Sequence, residues 1–295
     1  MESLPITHRA ELRRWLDRYG VRPGRRWGQN FLVDEAWAER IVAALEPARE
    51  DTLLEVGPGL GALTERLVRR AGRVVAVEID RRLAAALRER LAGAGNLELV
   101  VADVLQVDLP ALVAGSSRVK LASNLPYSIT SPFLIRWLSS PLAWERAVLT
   151  LQAEVVDRLA ASPGTAAYGA LTLFVRYHAR VERLGTIGAG AFWPRPEVDS
   201  AVIRLWPHPQ PPVAVANPEA LFDLIRAAFS RRRKRLANAL AAHPRVGREE
   251  ARRACREAGI DPEARPENLT LDDFARLANA LFPAGAPAPG ALDRI

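Results

Sequence analysis

Asn124-Leu125-Pro126-Tyr127 sets an amide, a proline and an aromatic directly after the strand-like stretch Val119-Lys120-Leu121-Ala122-Ser123, with no spacer. Residues of these types at the end of a sheet suit one kind of chemistry. The Asn side-chain oxygen and a main-chain carbonyl near Pro126 can accept hydrogen bonds from an exocyclic amine, while the ring of Tyr127 covers the face of a flat, amine-bearing ring. Such a site serves reaction at the amine nitrogen. Asn-x-Pro is also ordinary turn punctuation, so the tetrapeptide takes its meaning from what lies upstream.

There, Leu53-Leu54-Glu55-Val56 runs into Gly57-Pro58-Gly59-Leu60-Gly61 and then a helical pattern. A tight glycine turn of this kind lets main chain approach a ligand at a helix N-terminus. The next strand-like run ends in Glu78, 17 residues past Gly61, where a carboxylate at a strand tip accepts both hydroxyls of a ribose. Asp103 follows the third strand, placed to accept from an adenine amino group. Together these features point to an adenosine-type cofactor. A nicotinamide dehydrogenase competes, because Gly57, Gly59 and Ala62 also fit G-x-G-x-x-A. Asp103, and the Asn124 segment beside the switch point where ligands bind, turn the reading away from hydride transfer. No metal is expected: Cys255 is the only cysteine, and His8, His178, His208 and His243 lack ligand spacing.

The elements that must position these residues follow from hydrophobic period. Helical patterns at 8–20 and 34–45, the second with Asp34 as N-cap, precede strand-like runs at 52–56, 73–79, 97–101, 118–123 and 147–151. Helix-like segments at 61–71, 81–92, 131–139 and 153–161 separate the strands, which implies a doubly wound, mostly parallel α/β sheet. Leu171, Leu173, Val175 and Tyr177 alternate, as do Ala201, Ile203 and Leu205, and both runs read as closing strands of that sheet. Pro207, Pro209, Pro211 and Pro212 form a stiff linker, beyond which 218–229, 231–242, 248–258 and 271–281 read as short helices. The expected organisation is a 1–206 cofactor-binding domain with a basic N-terminal extension, a 207–282 all-α domain, and a flexible 283–295 tail.

The chain has 295 residues and a soluble composition without a membrane span or signal-peptide stretch, so a cytoplasmic location is expected. Of its net charge of +7, residues 1–30 carry +4 and Arg231-Arg232-Arg233-Lys234-Arg235 carry +5, leaving the remainder slightly acidic. Basic segments concentrated in this way suit a nucleic acid better than a membrane, since neither has an amphipathic anchor beside it. A solvated helix face is the plainer alternative.

Glycine turn, acid, acid and Asn-Pro-Tyr at successive strand ends resemble the Rossmann-like class I S-adenosylmethionine-dependent methyltransferases. Gly28-Gln29-Asn30-Phe31-Leu32, Glu55-Val56-Gly57-Pro58-Gly59, Asn124 to Tyr127, Phe192-Trp193-Pro194-Arg195-Pro196-Glu197-Val198-Asp199-Ser200 and Arg231 to Leu240 narrow the likeness. Over about residues 20–282, in this order, they resemble the bacterial small-subunit ribosomal RNA adenine dimethyltransferases.

That resemblance implies S-adenosylmethionine as cofactor, S-adenosylhomocysteine as product, and dimethylation of N6 on two adjacent adenosines in the hairpin loop near the 3′ end of small-subunit RNA. A role in small-subunit biogenesis goes with it, the partner being that RNA or the immature subunit. It implies that Asn30, Leu32, Glu55, Gly57 and Gly59 line the cofactor site, that Glu78 holds the ribose and Asp103 the adenine, and that Asn124 touches both cofactor and target. Asn124, Leu125, Pro126, Tyr127 and Phe192 would form the catalytic group, with Tyr127 and Phe192 clamping the two faces of the base. Phe192 beside Trp193 also fits a core position. Arg231, Arg232, Arg233, Lys234 and Arg235 match the RNA-facing segment, and a monomer is expected. Two alternatives remain: a large-subunit RNA dimethyltransferase of the macrolide-resistance type, and a noncatalytic assembly or transcription factor on the same fold.

Overall fold

The computed structural model describes residues 4–24, 29–231 and 234–283. Gly28, Arg232, Arg233 and the 284–295 tail therefore lie outside the described residues. The first half of the chain runs α1 (Arg9–Arg18), β1 (Phe31–Leu32), α2 (Glu35–Leu45), β2 (Thr52–Val56), α3 (Thr64–Leu67), β3 (Arg73–Glu78), α4 (Arg81–Arg90), β4 (Leu97–Val101), α5 (Leu109–Leu112), β5 (Val119–Asn124) and α6 (Thr130–Ser139). The second half continues β6 (Arg146–Gln152), α7 (Ala153–Ala160), α8 (Ala170–His178), β7 (Ala179–Ile187), β8 (Phe192–Trp193), β9 (Ser200–Pro207), α9 (Pro218–Ser230), α10 (Leu236–Leu240), α11 (Arg248–Glu257) and α12 (Leu271–Leu281).

Seven strands form one sheet in the order β4-β3-β2-β5-β6-β9-β7, with β2, β3, β4, β5 and β6 parallel to their neighbours and β9 antiparallel to β6. β2, buried at every position, opens on Thr52 and then reads as an apolar run broken by Glu55, as expected for a strand covered on both faces. Helices start where the sequence supplies caps: Asp34 accepts from the Trp37 amide at 2.9 Å and Asp80 from the Arg82 amide at 2.8 Å. At the opposite end of the strands, buried Lys120 on β5 donates to Asp51 Oδ2 and to the Glu46 carbonyl, each at 2.6 Å, tying β5 to the entry of β2.

The chain divides into two compact units, Met1–Val156 with Arg180–Pro207, and Asp157–Ala179 with His208–Ile295. By contact the first unit ends at Pro207, and 157–179 groups with the helical residues from His208 onward. The run 171–177, expected as a strand, is helix α8. Its alternating residues are apolar, yet Thr172 and Phe174 between them are buried as well, so an element enclosed on most sides carries no readable period. The core of the second unit gathers Tyr168, Leu173, Leu224, Cys255, Phe274 and Leu277. Burial pushes the Cys255 thiol up to about 11, which leaves it an inert packing group.

The helix expected over 61–71 is reduced to α3, which starts only after Gly61 at φ 90° and ends at Leu67. The one expected over 231–242 is reduced to α10. Among the described residues no helix is long and apolar enough to cross a membrane, and no cluster of His, Cys, Asp and Glu could hold a metal ion.

Candidate active site

Parallel pairing aligns the ends of the central strands: Val56 lies opposite Val77, Glu78 opposite Val101, and Glu55 opposite both Ala76 and Ala122. Strand order reverses between β2 and β5, where an α/β sheet opens a crevice at its C-terminal edge. A cleft of about 310 Å³ lies there, lined by Asn30, Leu32, Glu55, Gly57, Gly59, Glu78, Asp103 and the segment from Asn124 to Tyr127. Every residue expected at the cofactor site thus reaches one cavity.

The glycine turn is fixed by conformation and by neighbours. Gly57 and Gly59 have φ of 63° and 57°, a region in which L side chains are strained. A Cβ on Gly57 would stand 3.3 Å from the Pro126 ring, and one on Gly59 would stand 3.0 Å from Phe31. The turn, the 29–32 segment and the 124–127 segment are therefore packed directly on one another.

Glu78 is already oriented: Oε2 accepts the Gly59 amide at 3.1 Å and Oε1 the Asp80 amide at 2.9 Å. Burial raises its carboxyl above the ordinary range, and those two donors pull it back. Each oxygen keeps lone-pair capacity for a hydroxyl. Asp103 accepts from the Leu105 amide at 2.9 Å, which fixes its side chain at the cleft wall.

Glu55 is 2% exposed, and its Oε2 has no partner among the described residues. Burial pushes its carboxyl up to about 8, with the charge of Glu78 adding to the rise and the nearby Thr64 hydroxyl opposing it. A buried, unpartnered carboxyl oxygen on a cleft wall is a place for a cationic or donor group of a ligand. With two positive-φ glycines leaving room for close approach, the residues present fit the amino-acid and adenosine ends of a nucleoside-type cofactor.

Asn124 Nδ2 donates to the Asn30 carbonyl at 2.8 Å. A carbonyl only accepts, so the amide nitrogen must face it, and Oδ1 is the acceptor this side chain offers to a ligand. Ser123 Oγ donates to the Val56 carbonyl at 2.6 Å, holding the end of β5 against the end of β2. Leu125 is buried, and its amide donates to the Thr150 carbonyl at 3.2 Å, so its part is to shape the main chain. Tyr127 lines the cleft with its hydroxyl 2.5 Å from Ser200 Oγ. Burial raises that phenol, with Ser200 lowering it and Asp199 raising it, so it is neutral at pH 7 and offers a ring, not a base.

Phe192 does not take the expected place on the far face of a base. It is 1% exposed, does not line the cleft, and packs in the core with Leu32, Ile41 and Ile187. The cause is strand parity: β8 pairs antiparallel with β1, Leu32 opposite Phe192 and Phe31 opposite Trp193, so Phe192 shares the inward face of Leu32.

Sequence reasoning missed other wall residues. Ile6 and Leu12, before and within α1, line the cleft and are buried with Leu60 and Leu83. The i, i+4 pair Leu12 and Leu16 announces an apolar helix face without naming what it covers. Arg82 Nη1 donates to the Gly20 carbonyl at 2.8 Å, and Arg18 pairs with Glu89 at 2.6 Å, so α1 is bound to α4. Part of the N-terminal arginine content has structural work: Arg9 donates to the Gly190 carbonyl at 2.6 Å, and Arg13 lies 5.4 Å over the Trp193 ring. Ile79, exposed at the tip of β3, adds an apolar wall beside Glu78. In the second unit Arg231, Lys234 and Arg235 are exposed, with Arg235 paired to Glu263.

The sequence pattern of the ribosomal RNA adenine dimethylase family matches residues 22–282. A ribosomal RNA small subunit methyltransferase A from Pelotomaculum thermopropionicum is 43% identical, over 94% of this chain and 97% of its own length. One of the same name from Geobacter metallireducens is 44% identical, over 90% of this chain and 98% of its own. Among solved structures, a dimethyladenosine transferase from Plasmodium falciparum aligns with a TM-score of 0.69 and 26% identity, covering 84% of this chain and 95% of that one. The 23S rRNA methyltransferase ErmE aligns at 0.65 and 30% identity, covering 85% and 99%.

Proposed function

The chain belongs to the ribosomal RNA adenine dimethylase family, and we propose that it transfers methyl groups from S-adenosylmethionine to N6 of adenosine in small-subunit ribosomal RNA, two per base. Its targets on this reading are the two adjacent adenosines in the hairpin loop near the 3′ end, met on an immature small subunit in the cytoplasm by a monomeric enzyme. The observation that carries the reading is the pinned amide of Asn124: its nitrogen is committed to the Asn30 carbonyl, which leaves an oriented acceptor beside Tyr127 in the same cleft as Glu55, Glu78 and the glycine turn.

S-adenosylmethionine, when bound, supplies an electrophilic methyl on a sulfonium. Gly57, Gly59 and Glu55 would hold its amino-acid end, Glu78 its ribose and Asp103 its adenine. Adenine N6 is a poor nucleophile because its lone pair is delocalised into the ring. Hydrogen bonds from its two amine protons to Asn124 Oδ1 and to a main-chain carbonyl of Leu125 or Pro126 favour a pyramidal nitrogen and align it for attack. No base is needed beforehand, since the proton becomes acidic only once the new N–C bond has formed, and it then passes to water. Tyr127, neutral and ring-bearing, covers one face of a base taken out of its stack. Stacking of this kind is worth about 1–3 kcal/mol. Exposed Arg231, Lys234 and Arg235, with their Arg232 and Arg233 neighbours in sequence, suit phosphate binding.

The test is methyl transfer from labelled S-adenosylmethionine to unmethylated small and large ribosomal subunits in parallel, followed by nucleoside analysis. Dimethyladenosine confined to the small subunit is expected. Label in the large subunit would favour the activity named for ErmE, and tight RNA binding without label would favour a noncatalytic factor.

A further inference from the structure

We propose that Ser200 is a positioning residue for methyl transfer: its hydroxyl pins the phenol of Tyr127 and so fixes the ring that covers the target adenine. The proposal rests on the adenine-N6 reading above. The hydroxyls of the two residues are 2.5 Å apart, although Tyr127 follows the end of β5 and Ser200 opens β9, two places further along the sheet. The bond therefore reaches across the end of β6, whose Thr150 lies opposite Asn124 and whose Gln152 lies opposite Ser200.

Ser200 is a stiff anchor. It is 0% exposed and held in the antiparallel ladder with β6. The residue before it is fixed twice, since the Asp199 carbonyl accepts the Ala153 amide at 3.0 Å and Asp199 Oδ1 accepts the Ala189 amide at 2.9 Å. Tyr127, by contrast, opens a single 3-10 turn, Tyr127–Ile129, in which no residue is buried. Left to that turn, the ring could swing about χ1 among staggered wells. Tethering its far end fixes the line from Cβ to Oη and leaves only rotation about that line. The ring then stays beside the Asn124 amide, which is itself tied to Asn30.

The tether matters more because Phe192 is sunk in the core and does not close the other face. A base held from one side depends on that side keeping its place, and it must be held again for the second methyl, when N6 is bulkier. Ser200 touches neither cofactor nor substrate on this account; it acts through Tyr127.

The experiment is a double-mutant cycle of Ser200→Ala and Tyr127→Phe, each removing the bond from one end while keeping the ring. Single-turnover methyl transfer, cofactor affinity and the monomethyl-to-dimethyladenosine ratio are the readouts. Each single variant is expected to slow transfer about tenfold, the rate equivalent of about 1.4 kcal/mol, with cofactor affinity unchanged. The monomethyl share should rise, and the double variant should be no slower than either single one. Losses that multiply to about a hundredfold would mean that Ser200 acts by another route, and the proposal would fall. Wild-type transfer by Ser200→Ala would also overturn it. If Ser200→Ala does not fold, Tyr127→Phe decides alone, and a wild-type rate and product ratio refute the tether. If the wild-type protein itself leaves small-subunit RNA unmethylated, the adenine reading fails and the tether falls with it. An active wild type with indifferent variants sinks the tether only.

Discussion

Glu55 is expected to give up a proton when the cofactor binds. Its carboxyl is 2% exposed, has one oxygen without a partner among the described residues, and is pushed up to about 8 by burial. At pH 7 roughly nine in ten free molecules then carry a proton on Glu55. Seating the ammonium of the cofactor's amino-acid end beside this carboxyl would return it to the charged form, releasing about 0.9 proton per ligand. The same linkage makes binding tighten by about ninefold between pH 6 and pH 7, a window in which the ligand amine keeps its charge.

S-adenosylhomocysteine has the same amino-acid end and allows titration without transfer. Calorimetry in two buffers of different ionisation enthalpy measures the proton count directly. Glu55→Gln should abolish both the release and the pH dependence. A wild-type titration with no proton release and an affinity flat from pH 6 to pH 7 would mean that Glu55 meets its ligand neutral, refuting the ammonium assignment.

Folding stability carries the matching sign. A carboxyl raised in the folded state stabilises fully below its unfolded value of 4.5, and that contribution is lost as pH rises through about 8. Glu55→Gln should therefore gain in melting temperature over wild type as pH rises from 5 to 8. His178, held neutral down to about 4 by burial, acts in the opposite sense below 6.5, which is why the comparison between variants is the informative one.

Asn124→Ala should cut methyl transfer by about a hundredfold or more through lost alignment while RNA retention on a filter stays near wild type; unchanged turnover would remove Asn124 from the mechanism. Glu78→Ala should weaken cofactor binding by on the order of tenfold to a hundredfold, the loss of charged hydrogen bonds to a ribose, and a calorimetric isotherm matching wild type would contradict the ribose assignment. Lys234→Glu with Arg235→Glu should weaken RNA binding and lower the salt slope by about 0.7–0.9 for each phosphate no longer neutralised; an unaltered slope would mean the segment faces elsewhere. Gly57→Ala, at φ 63° and 3.3 Å from Pro126, should lower both cofactor affinity and the transfer rate at saturating cofactor. A wild-type saturated rate would show that Pro126 yields without disturbing Asn124 and Tyr127.

What the sequence made legible follows from parallel strands, whose C-terminal ends lie on one edge. Glu78, Asp103 and Asn124 each fall at or just past the end of a strand-like run, so their meeting at one cleft could be read from order alone. Phe192 could not be placed in that way. Its inward direction depends on pairing with Leu32, an approach of distant parts of the chain that no local period encodes. The same limit hid Ile6 and Leu12, whose partners Leu60 and Leu83 belong to the glycine turn and to α4. In 171–177, alternation among Leu171, Leu173, Val175 and Tyr177 was overridden by a helix buried on both sides of that stripe. The basic run at 231–235 was visible as charge, yet only its exposure at Arg231, Lys234 and Arg235 is a structural fact.

The glycine turn and the Asn124 to Tyr127 segment at the two sides of the cleft are packed as one unit. A Cβ on Gly57 would crowd the Pro126 ring at 3.3 Å, and one on Gly59 would crowd Phe31 at 3.0 Å. Phe31 and Asn30 are neighbours, and the Asn30 carbonyl holds the Asn124 amide. Glu78 accepts from Gly59, so the carboxylate proposed to hold the ribose is oriented by the same turn that seats Phe31. A displacement of the turn would thus reach the Asn124 amide through the packing of Phe31 and Pro126 and through the Asn30 hydrogen bond, without passing through a ligand. The glycines in Gly57-Pro58-Gly59 are usually read as clearance for a bound nucleoside. Here they are also clearance for Pro126 and Phe31, and that second demand does not depend on a ligand.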